Sequence, residues 1–264
     1  MKIPIIQVDA FTNEPFRGNP AGVCLLRQET NAEWMQAVAA EMNLPETAFL
    51  LRREGSDFSI RWFTPTVEVP LCGHGTLASA HVLWSEDIVS RDESITFHPQ
   101  DGLLSADREG EWIRLDFPAL ITEECAIPDG LADALGCEPV RVSQNPLPTY
   151  LAELDSEKTI RELEPDFDRL RTVGHGVCIV TSRSDSEVCD FVSRFFAPAI
   201  GISEDPVTGA AHCSLGPYWT ERLDKTELVG HQVSRRGGVV KVRVRGDRVD
   251  LLGQAVTVIR GDLA

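Results

Sequence analysis

Three titratable side chains stand in short segments whose residue types could transfer protons. Glu46 follows N-L-P, His74 lies in C-G-H-G-T at 72–76, and Asp205 lies in E-D-P-V-T-G-A at 204–210. Carboxylates and histidines are the usual groups of general acid–base catalysis. Taken singly, each also suits an ordinary role: a solvated loop carboxylate, a turn histidine and a helix-capping aspartate. Their chemistry therefore depends on the elements that position them.

An internal repeat links the two glycine turns. R-W-F-T-P at 61–65 matches R-F-F-A-P at 194–198, so Phe63 and Phe196 lie 133 positions apart. Carried forward without a gap, this offset pairs Cys72 with Asp205. The repeat predicts an α+β fold of two pseudo-symmetric halves, each with a curved, mostly antiparallel sheet or barrel around a central helix.

Each glycine turn leads into a helix rich in small and apolar residues, which predicts burial on most sides. A helix N-terminus offers unpaired N–H groups and a partial positive charge, so two such ends facing a cleft would bind a carboxylate. The candidate substrate-binding residues at these two ends are Gly73, Gly75, Thr76, Gly209 and Ala210.

The boundary between the halves is expected just after 118, where strand alternation stops and prolines and acidic residues gather. The predicted domains are 1–118 and 119–264, with the final strand 254–264 allowed to pack on the first. Segments with strand composition occur at 3–11, 23–27, 47–52, 58–63, 93–98, 112–117, 149–153, 177–181, 191–196, 238–244 and 255–259. A capping box at 30–33 predicts a helix that ends before Pro45.

Composition excludes several classes of protein. The chain has 264 residues, 25 basic and 41 acidic, with a net charge of −16. So acidic a chain argues against a nucleic-acid partner, and no apolar run is long enough for a membrane helix. The seven cysteines form no C-x-x-C pair, which is typical of reduced thiols, and the N-terminus lacks signal-peptide features. We therefore expect a cytoplasmic protein without membrane contact.

Other kinds of site find less support. The glycines near residue 75 match G-x-G-x-x-A, but the surrounding βαβ unit with its acidic residue is missing. The cysteines and histidines at 72, 74, 81, 212 and 213 follow no known zinc spacing, so no metal is predicted. The absence of a G-x-S-x-G segment lowers the expectation of a hydrolase.

Together, five motifs resemble the phenazine biosynthesis protein F (PhzF-like) family. They are D-A-F-T-N-E-P-F-R-G-N-P-A-G at 9–22, N-L-P-E-T-A-F at 43–49, F-T-P at 63–65, C-G-H-G-T at 72–76 and E-D-P-V-T-G-A-A-H-C at 204–213. They occur in the family's order and spacing and reach across most of the chain. The resemblance implies the diaminopimelate epimerase fold, with an active site between the halves. It further implies a cofactor-independent isomerase that forms homodimers.

The resemblance also assigns roles to residues. Glu46 matches the proton-shuttling carboxylate of the family, His74 and Asp205 match its cleft residues, and Asn19 is placed among the substrate-binding residues. Where the phenazine enzyme has serine, this chain has Ala210 and lacks that hydroxyl donor. Related epimerases and racemases use two facing cysteines, which the pairing of Cys72 with Asp205 does not provide.

The leading hypothesis is an isomerase in a biosynthetic process that moves a proton on a small carboxylate-bearing metabolite. Glu46 would be its general acid and base, and no cofactor would be needed. Two alternatives stay open. One is a racemase or nucleophilic enzyme based on Cys72, activated by the helix end and by His74. The other is a non-catalytic metabolite-binding protein of the same fold.

Overall fold

The computed structural model describes residues 2–264, which divide into two compact units. The first unit runs to Phe117 and also contains Leu252–Ala264, whereas the second is Pro118–Leu251. The last strand of the chain thus belongs with the first unit.

The first unit is a mixed sheet with two long helices. Its elements are β1 (Ile3–Ala10), β2 (Asn19–Leu26), α1 (Ala32–Met42), β3 (Glu46–Arg52), β4 (Asp57–Phe63), β5 (Glu68–Val69), α2 (Gly73–Ser85), β6 (Ile95–His98), β7 (Leu104–Glu109), β8 (Trp112–Pro118) and, at the end of the chain, β18 (Ala255–Leu263).

Antiparallel pairing dominates this sheet. β1 lies between β18 and β2, β3 pairs with β4, and β6, β7 and β8 follow one another, all antiparallel. The two parallel pairs are β2 with β3 and β4 with β6. Both need a crossover, and the helices supply it: α1 connects β2 to β3, and α2 lies between β4 and β6.

Helix α2 is buried around nearly its whole circumference, as its composition predicts. Ten of its 13 residues are buried, from His74 to Trp84. Its first turn is packed most tightly at Gly75. A Cβ at this position would lie 2.9 Å from Cδ1 of Trp62 and 3.0 Å from Sγ of Cys72. Glycine is required there because Trp62 and Cys72 lie so close to its Cα, and not because of an unusual backbone angle.

The second unit has a similar order of elements, with additional short helices. They are β9 (Glu123–Glu124), α3 (Leu131–Leu135), β10 (Arg141–Gln144), β11 (Tyr150–Glu153), α4 (Glu157–Glu162), α5 (Phe167–Leu170), β12 (Cys178–Arg183), β13 (Phe191–Ala197), β14 (Ile202–Asp205), α6 (Gly209–Leu223), β15 (Glu227–Gln232), β16 (Gly238–Arg245) and β17 (Arg248–Gly253), whose last two residues belong to the first unit.

The pairing pattern of the first unit recurs in the second. β10 and β11 are antiparallel, β11 and β12 parallel, β12 and β13 antiparallel, and β13 and β15 parallel. α6 takes the place of α2 between the last parallel pair. Both units also carry a bidentate ion pair before the buried helix, Arg61 with Glu68 and Arg194 with Glu204. The repeat therefore extends to topology and side-chain contacts.

The ungapped offset of 133 is wrong beyond the first motif. A short 3-10 helix, Pro198–Ile200, adds three residues before β14. From there the offset is 136, because α2 begins at Gly73 and α6 at Gly209. Cys72, which caps α2, therefore corresponds to Thr208, which caps α6, and not to Asp205. The earlier conclusion that Cys72 has no cysteine counterpart still holds.

Smaller differences from the sequence-based elements follow from capping and register. The N-cap of α1 is Asn31 rather than Thr30, and its side chain accepts a hydrogen bond from the N–H of Trp34. β2 begins at Asn19, inside the segment predicted to be a turn. Strands β7, β10, β15 and β17 and helix α4 were not predicted, since they lack strong alternation or are short.

Within residues 2–264, none of the helices is both long and apolar enough to span a membrane.

A pH-dependent contribution to stability is expected from His212 on α6. Its Nδ1 lies 2.8 Å from the carbonyl oxygen of Thr208, and burial lowers its pKa from 6.5 to about 4. The folded state thus favours the neutral ring, so this contribution is complete above pH 6.5 and is lost as the pH falls towards 4. The loss approaches about 3 kcal/mol, because one pKa unit corresponds to about 1.4 kcal/mol.

Urea unfolding at pH 7 and pH 4.5 measures this effect. His212→Gln should lose less unfolding free energy between the two pH values than the wild-type protein does. His175→Gln, which changes an exposed histidine, should behave like wild type. An unchanged pH dependence in His212→Gln would contradict the assignment.

Gly75→Ala is expected to lower the free energy of unfolding by about 1–3 kcal/mol, the usual cost of adding a methyl group to a packed interior. The new Cβ would press on the Trp62 ring and the Cys72 sulfur. Gly261→Ala is the matched control, because a Cβ there has no heavy atom within 4 Å. Thermal unfolding of both variants measures the effect. Equal midpoint temperatures would show that the space around Gly75 can accommodate a methyl group.

Candidate active site

Glu46 is positioned by the end of α1 and the beginning of β3. The helix stops at Asn43, whose left-handed backbone (φ 49°) lets its N–H bond to the carbonyl of Ala39. Three residues later β3 starts, and Glu46 pairs in parallel register with Ala21 of β2. The side chain of Glu46 is only 14% exposed. A carboxylate is thus held at the start of a buried strand rather than in a solvated loop.

Cys72 and His74 are fixed by the first turn of α2. Cys72 is the N-cap, and its Sγ accepts a hydrogen bond from the N–H of Gly75 at 3.2 Å. The amides of Gly73 and His74 precede the first intrahelical hydrogen bond, so they are available to an external acceptor. His74 is itself buried, with 6% of its side chain exposed.

The carboxylate, imidazole and thiol converge. Nε2 of His74 lies 2.8 Å from Oε2 of Glu46, and Sγ of Cys72 lies 3.6 Å from Nδ1 of the same ring. Asn19, at the start of β2 and fully buried, approaches that Nδ1 with its side-chain amide at 3.2 Å. The structure therefore brings together Glu46, His74 and Asn19, and places beside them Cys72, the residue of the alternative hypothesis.

Electrostatics within this cluster favour a protonated histidine beside a protonated thiol. Burial raises the pKa of the Cys72 thiol, and the nearby charge of Glu46 raises it further. Burial alone would lower the pKa of His74, but the Cys72 sulfur, when ionised, and the Glu46 carboxylate together raise this pKa well above 6.5. With the thiol protonated, Glu46 at 2.8 Å is the negative charge that still raises the pKa of His74.

Two buried polar atoms near the start of α2 lack a hydrogen-bond partner among residues 2–264. One is Oε2 of Glu46, whose contact with His74 is short but not aligned as a hydrogen bond. The other is the indole N–H of Trp62, the residue that packs against Gly75. Unpaired buried groups of this kind are costly, and they are common where a ligand completes the hydrogen bonding. No sequence pattern pointed to Trp62.

Thr76 differs from its predicted role. It is fully buried, and both its N–H and its hydroxyl donate to the carbonyl of Cys72, at 3.0 and 2.6 Å. Neither group is available to a substrate, so Thr76 stabilises the first turn of α2 instead. Gly75 likewise uses its N–H for the Cys72 sulfur.

In the second unit, Asp205 belongs to a hydrogen-bonded loop at the start of α6. The hydroxyl of Thr208 donates to its carboxylate. The buried side chain of Gln232 holds the loop, because its Nε2 donates to the carbonyl of Asp205 at 2.7 Å and its Oε1 accepts the N–H of Thr208 at 2.9 Å. Gln232 was not foreseen, since its strand, β15, was not predicted.

Gly209 and Ala210 form the first turn of α6, as predicted. Gly209 is buried and Ala210 is exposed. Thr208 caps this helix without a side-chain hydrogen bond to the first-turn amides. These amides therefore keep the donor capacity that a helix N-terminus provides.

Comparisons with known proteins agree with the sequence motifs. A family model described as Phenazine biosynthesis-like protein matches residues 8–261. A relative named an uncharacterized isomerase, from Halalkalibacterium halodurans, is 52% identical over 264 residues, covering 100% of this chain and 99% of that protein. The human phenazine biosynthesis-like domain-containing protein is 39% identical over 288 residues, covering 100% and 99%.

Solved structures show the same fold. A PhzF-family protein of Enterococcus faecalis superposes with a TM-score of 0.94, at 40% identity and with 100% of both chains covered. A hydroxyproline epimerase from Agrobacterium vitis has a TM-score of 0.63 at 10% identity, covering 99% of this chain and 92% of that one, and so supports the fold alone. The predicted α+β, epimerase-like fold is confirmed.

The prediction of an isomerase is confirmed at a coarse level, because relatives that share about half of all residues over the full length are named isomerases. The names specify neither a substrate nor a catalytic residue. With a family model that spans residues 8–261, the chain belongs to the phenazine biosynthesis-like protein family.

Proposed function

We propose that this protein is a cofactor-independent isomerase that moves a proton on a small carboxylate-bearing metabolite. Glu46 is the proposed general acid and base. The observation that carries the proposal is its buried carboxylate, with Oε2 2.8 Å from Nε2 of His74. Each carboxylate oxygen has two lone pairs, so the carboxylate can accept a proton from a substrate while it contacts His74.

In the proposed reaction, the Glu46 carboxylate takes a proton from a carbon atom of the substrate. The electron pair left behind moves into the adjacent conjugated system, and Glu46 then returns the proton to a different carbon. Neither oxidant nor reductant is needed, since substrate and product are isomers. His74 orients the carboxylate and balances its charge, which a buried position requires.

The first turn of α2 supplies the proposed binding groups for the substrate carboxylate. The amides of Gly73 and His74 are unused by the helix, and the helix dipole adds partial positive charge. Asn19 stays in the proposal as a residue that holds the His74 ring. A chain with a net charge of −16 does not attract an anion by its overall field, so local donors must do so.

The second unit contributes a proposed orienting group. Asp205 is held by Thr208 and Gln232, and the first turn of α6 at Gly209 and Ala210 offers further amides. Ala210 brings no hydroxyl, which favours a substrate other than that of the phenazine enzyme. A cytoplasmic location and a homodimer also remain predictions. Cell fractionation checks the location, and analytical sedimentation checks the dimer.

Glu46→Gln is expected to lower turnover by about 10²–10⁴-fold, the usual contribution of general acid–base catalysis. Proton NMR in deuterated water, run against a panel of small aromatic carboxylates and amino acids, first identifies a compound that exchanges or isomerises. The variant is then assayed on that compound. Glu41→Gln, on the exposed side of α1, is the control and should match wild type.

Turnover by Glu46→Gln close to wild type would refute the role of this carboxylate. If the wild-type protein binds carboxylates of the panel but neither isomerises them nor incorporates deuterium into them, the result supports a binding module and contradicts the proposed isomerase.

Catalysis by the Cys72 thiol is the second candidate. One observation favours it, since the sulfur accepts the Gly75 N–H and lies 3.6 Å from the His74 ring. Against it, burial and the Glu46 charge raise the thiol pKa, so little thiolate forms at neutral pH.

Cys72→Ala separates the two candidates. If Glu46 is the base, the variant should retain at least about a tenth of wild-type kcat, because only packing and the weak helix cap are lost. A thiol catalyst would instead lose about 10²-fold or more on removal of its reacting group. Steady-state kinetics on the compound found by NMR measures the difference, with Cys125→Ala as the control for thiol removal elsewhere.

A further inference from the structure

A cysteine, a histidine and a glutamate form a compact cluster at the start of α2. One ligand atom each from Glu46, Cys72 and His74 lies within 4.8 Å of the others. Among residues 2–264 this is the one group of three or more such side chains with that spacing. Cys72 and His74 are buried and Glu46 is nearly so, which sets the cluster apart from an exposed patch of acidic residues.

The chemistry of the three atoms is selective. A thiolate, an imidazole nitrogen and a carboxylate oxygen are the ligands that zinc takes, whereas magnesium and calcium prefer oxygen alone. Three protein ligands with one open position is also the common arrangement of zinc that contacts a substrate or water.

A tetrahedral ion fits once the Cys72 side chain has turned. Zinc bonds of about 2.0–2.3 Å place tetrahedral ligand atoms about 3.3–3.6 Å apart. Nε2 of His74 lies 2.8 Å from Oε2 of Glu46 and 3.9 Å from Sγ of Cys72, but this sulfur lies nearer Nδ1, at 3.6 Å. On binding, the carboxylate would move away by about half an ångström, and the sulfur would turn from the Nδ1 side of the ring to the Nε2 side.

Neighbouring residues position two of these ligands. Cys72 is the N-cap of α2, and its sulfur lies close to Gly75. The amide nitrogen of Asn19 lies 3.2 Å from Nδ1 of His74, the ring nitrogen that would carry the proton when Nε2 binds the metal. A flip of this side-chain amide would turn its oxygen to accept that proton, and such a partner orients histidine ligands in metal sites.

We propose that Cys72, His74 and Glu46 bind one zinc-class divalent cation. Binding forms bonds from Sγ, Nε2 and Oε2 to the ion and releases the protons that the thiol and the ring carry. The ion occupies the lone pair of Glu46 that accepts the substrate proton, so metal binding inhibits the isomerase. The site itself does not depend on the role of Glu46, but the inhibition rests on the proposed function.

Sequence spacing gives no hint of this site. Known zinc patterns are recognised by close cysteine and histidine pairs, and here Glu46 lies 26 positions before Cys72 on a different element. The packing of α2 against β2 and β3 brings the carboxylate to the helix start.

Cobalt(II) titration of the full-length, reduced protein under anaerobic conditions tests the proposal. A thiolate-to-cobalt charge-transfer band and tetrahedral d–d bands are expected to saturate at one equivalent and to disappear on addition of zinc. Cys72→Ser should lose the charge-transfer band. Glu46→Gln should keep the band but bind at least about 10-fold more weakly, as losses in metal coordination typically do.

Cys125→Ser and Cys189→Ser are the controls, because these two more accessible thiols are the natural competitors for adventitious metal. Both should titrate like wild type. Absence of a saturable band in the wild-type protein, or a band that persists in Cys72→Ser, would overturn the site. Circular dichroism of each variant shows that it is folded.

Activity gives a separate readout. Inhibition by zinc at one equivalent, reversed by a chelator and weakened in Cys72→Ser, would support the inhibitory role. A cobalt spectrum that saturates at one equivalent, without loss of activity, would keep the metal site but overturn its inhibitory role. The same result would count against Glu46 as the base.

Discussion

The buried start of α2 is the constraint on which the site of the first unit depends. A helix enclosed by apolar side chains has first-turn amides that are costly to leave unpaired, at about 1–3 kcal/mol each. The Cys72 sulfur accepts one of them, and Thr76 bonds back to the carbonyl of Cys72. Oxygen side chains are the stronger caps, so a cysteine here gives weaker capping than serine or aspartate would. What it adds is a sulfur beside Glu46 and His74.

Charge balance is the second requirement of this cluster. A carboxylate and a thiol are buried side by side in a protein whose net charge is already −16. A buried anion needs a partner, and His74 is the cation within contact distance of Glu46. The buried negative charge of this cluster can be neutralised by protons on the ring and the thiol or by a divalent cation. The proposed proton transfer and the proposed metal binding therefore both depend on this buried negative charge.

The sequence drew attention to the candidate residues but not to the contacts between them. Glycines and small residues predicted the start of α2 correctly, because the tight packing around Gly75 excludes larger side chains there. The contact between Glu46 and His74 could not be read from local periodicity, since it joins a strand and a helix that are 28 positions apart in the sequence. The offset error at Asp205 has a different origin. A three-residue 3-10 helix changes no hydrophobic pattern, yet it shifts every later pairing. Gln232 acts through a long-range hydrogen bond that no motif signals.

The two units show how one topology supports different chemistry. At equivalent places before the buried helix, the first unit has Cys72 and the second has Thr208. Four residues further along, Thr76 corresponds to His212, which burial keeps neutral. The second unit therefore gathers one carboxylate among neutral donors and acceptors, whereas the first gathers three groups that exchange protons. Since both helices must satisfy the same first-turn amides, the difference is not forced by folding. Under the proposed function, proton transfer belongs to the first unit, and Asp205 in the second unit is left with an orienting role.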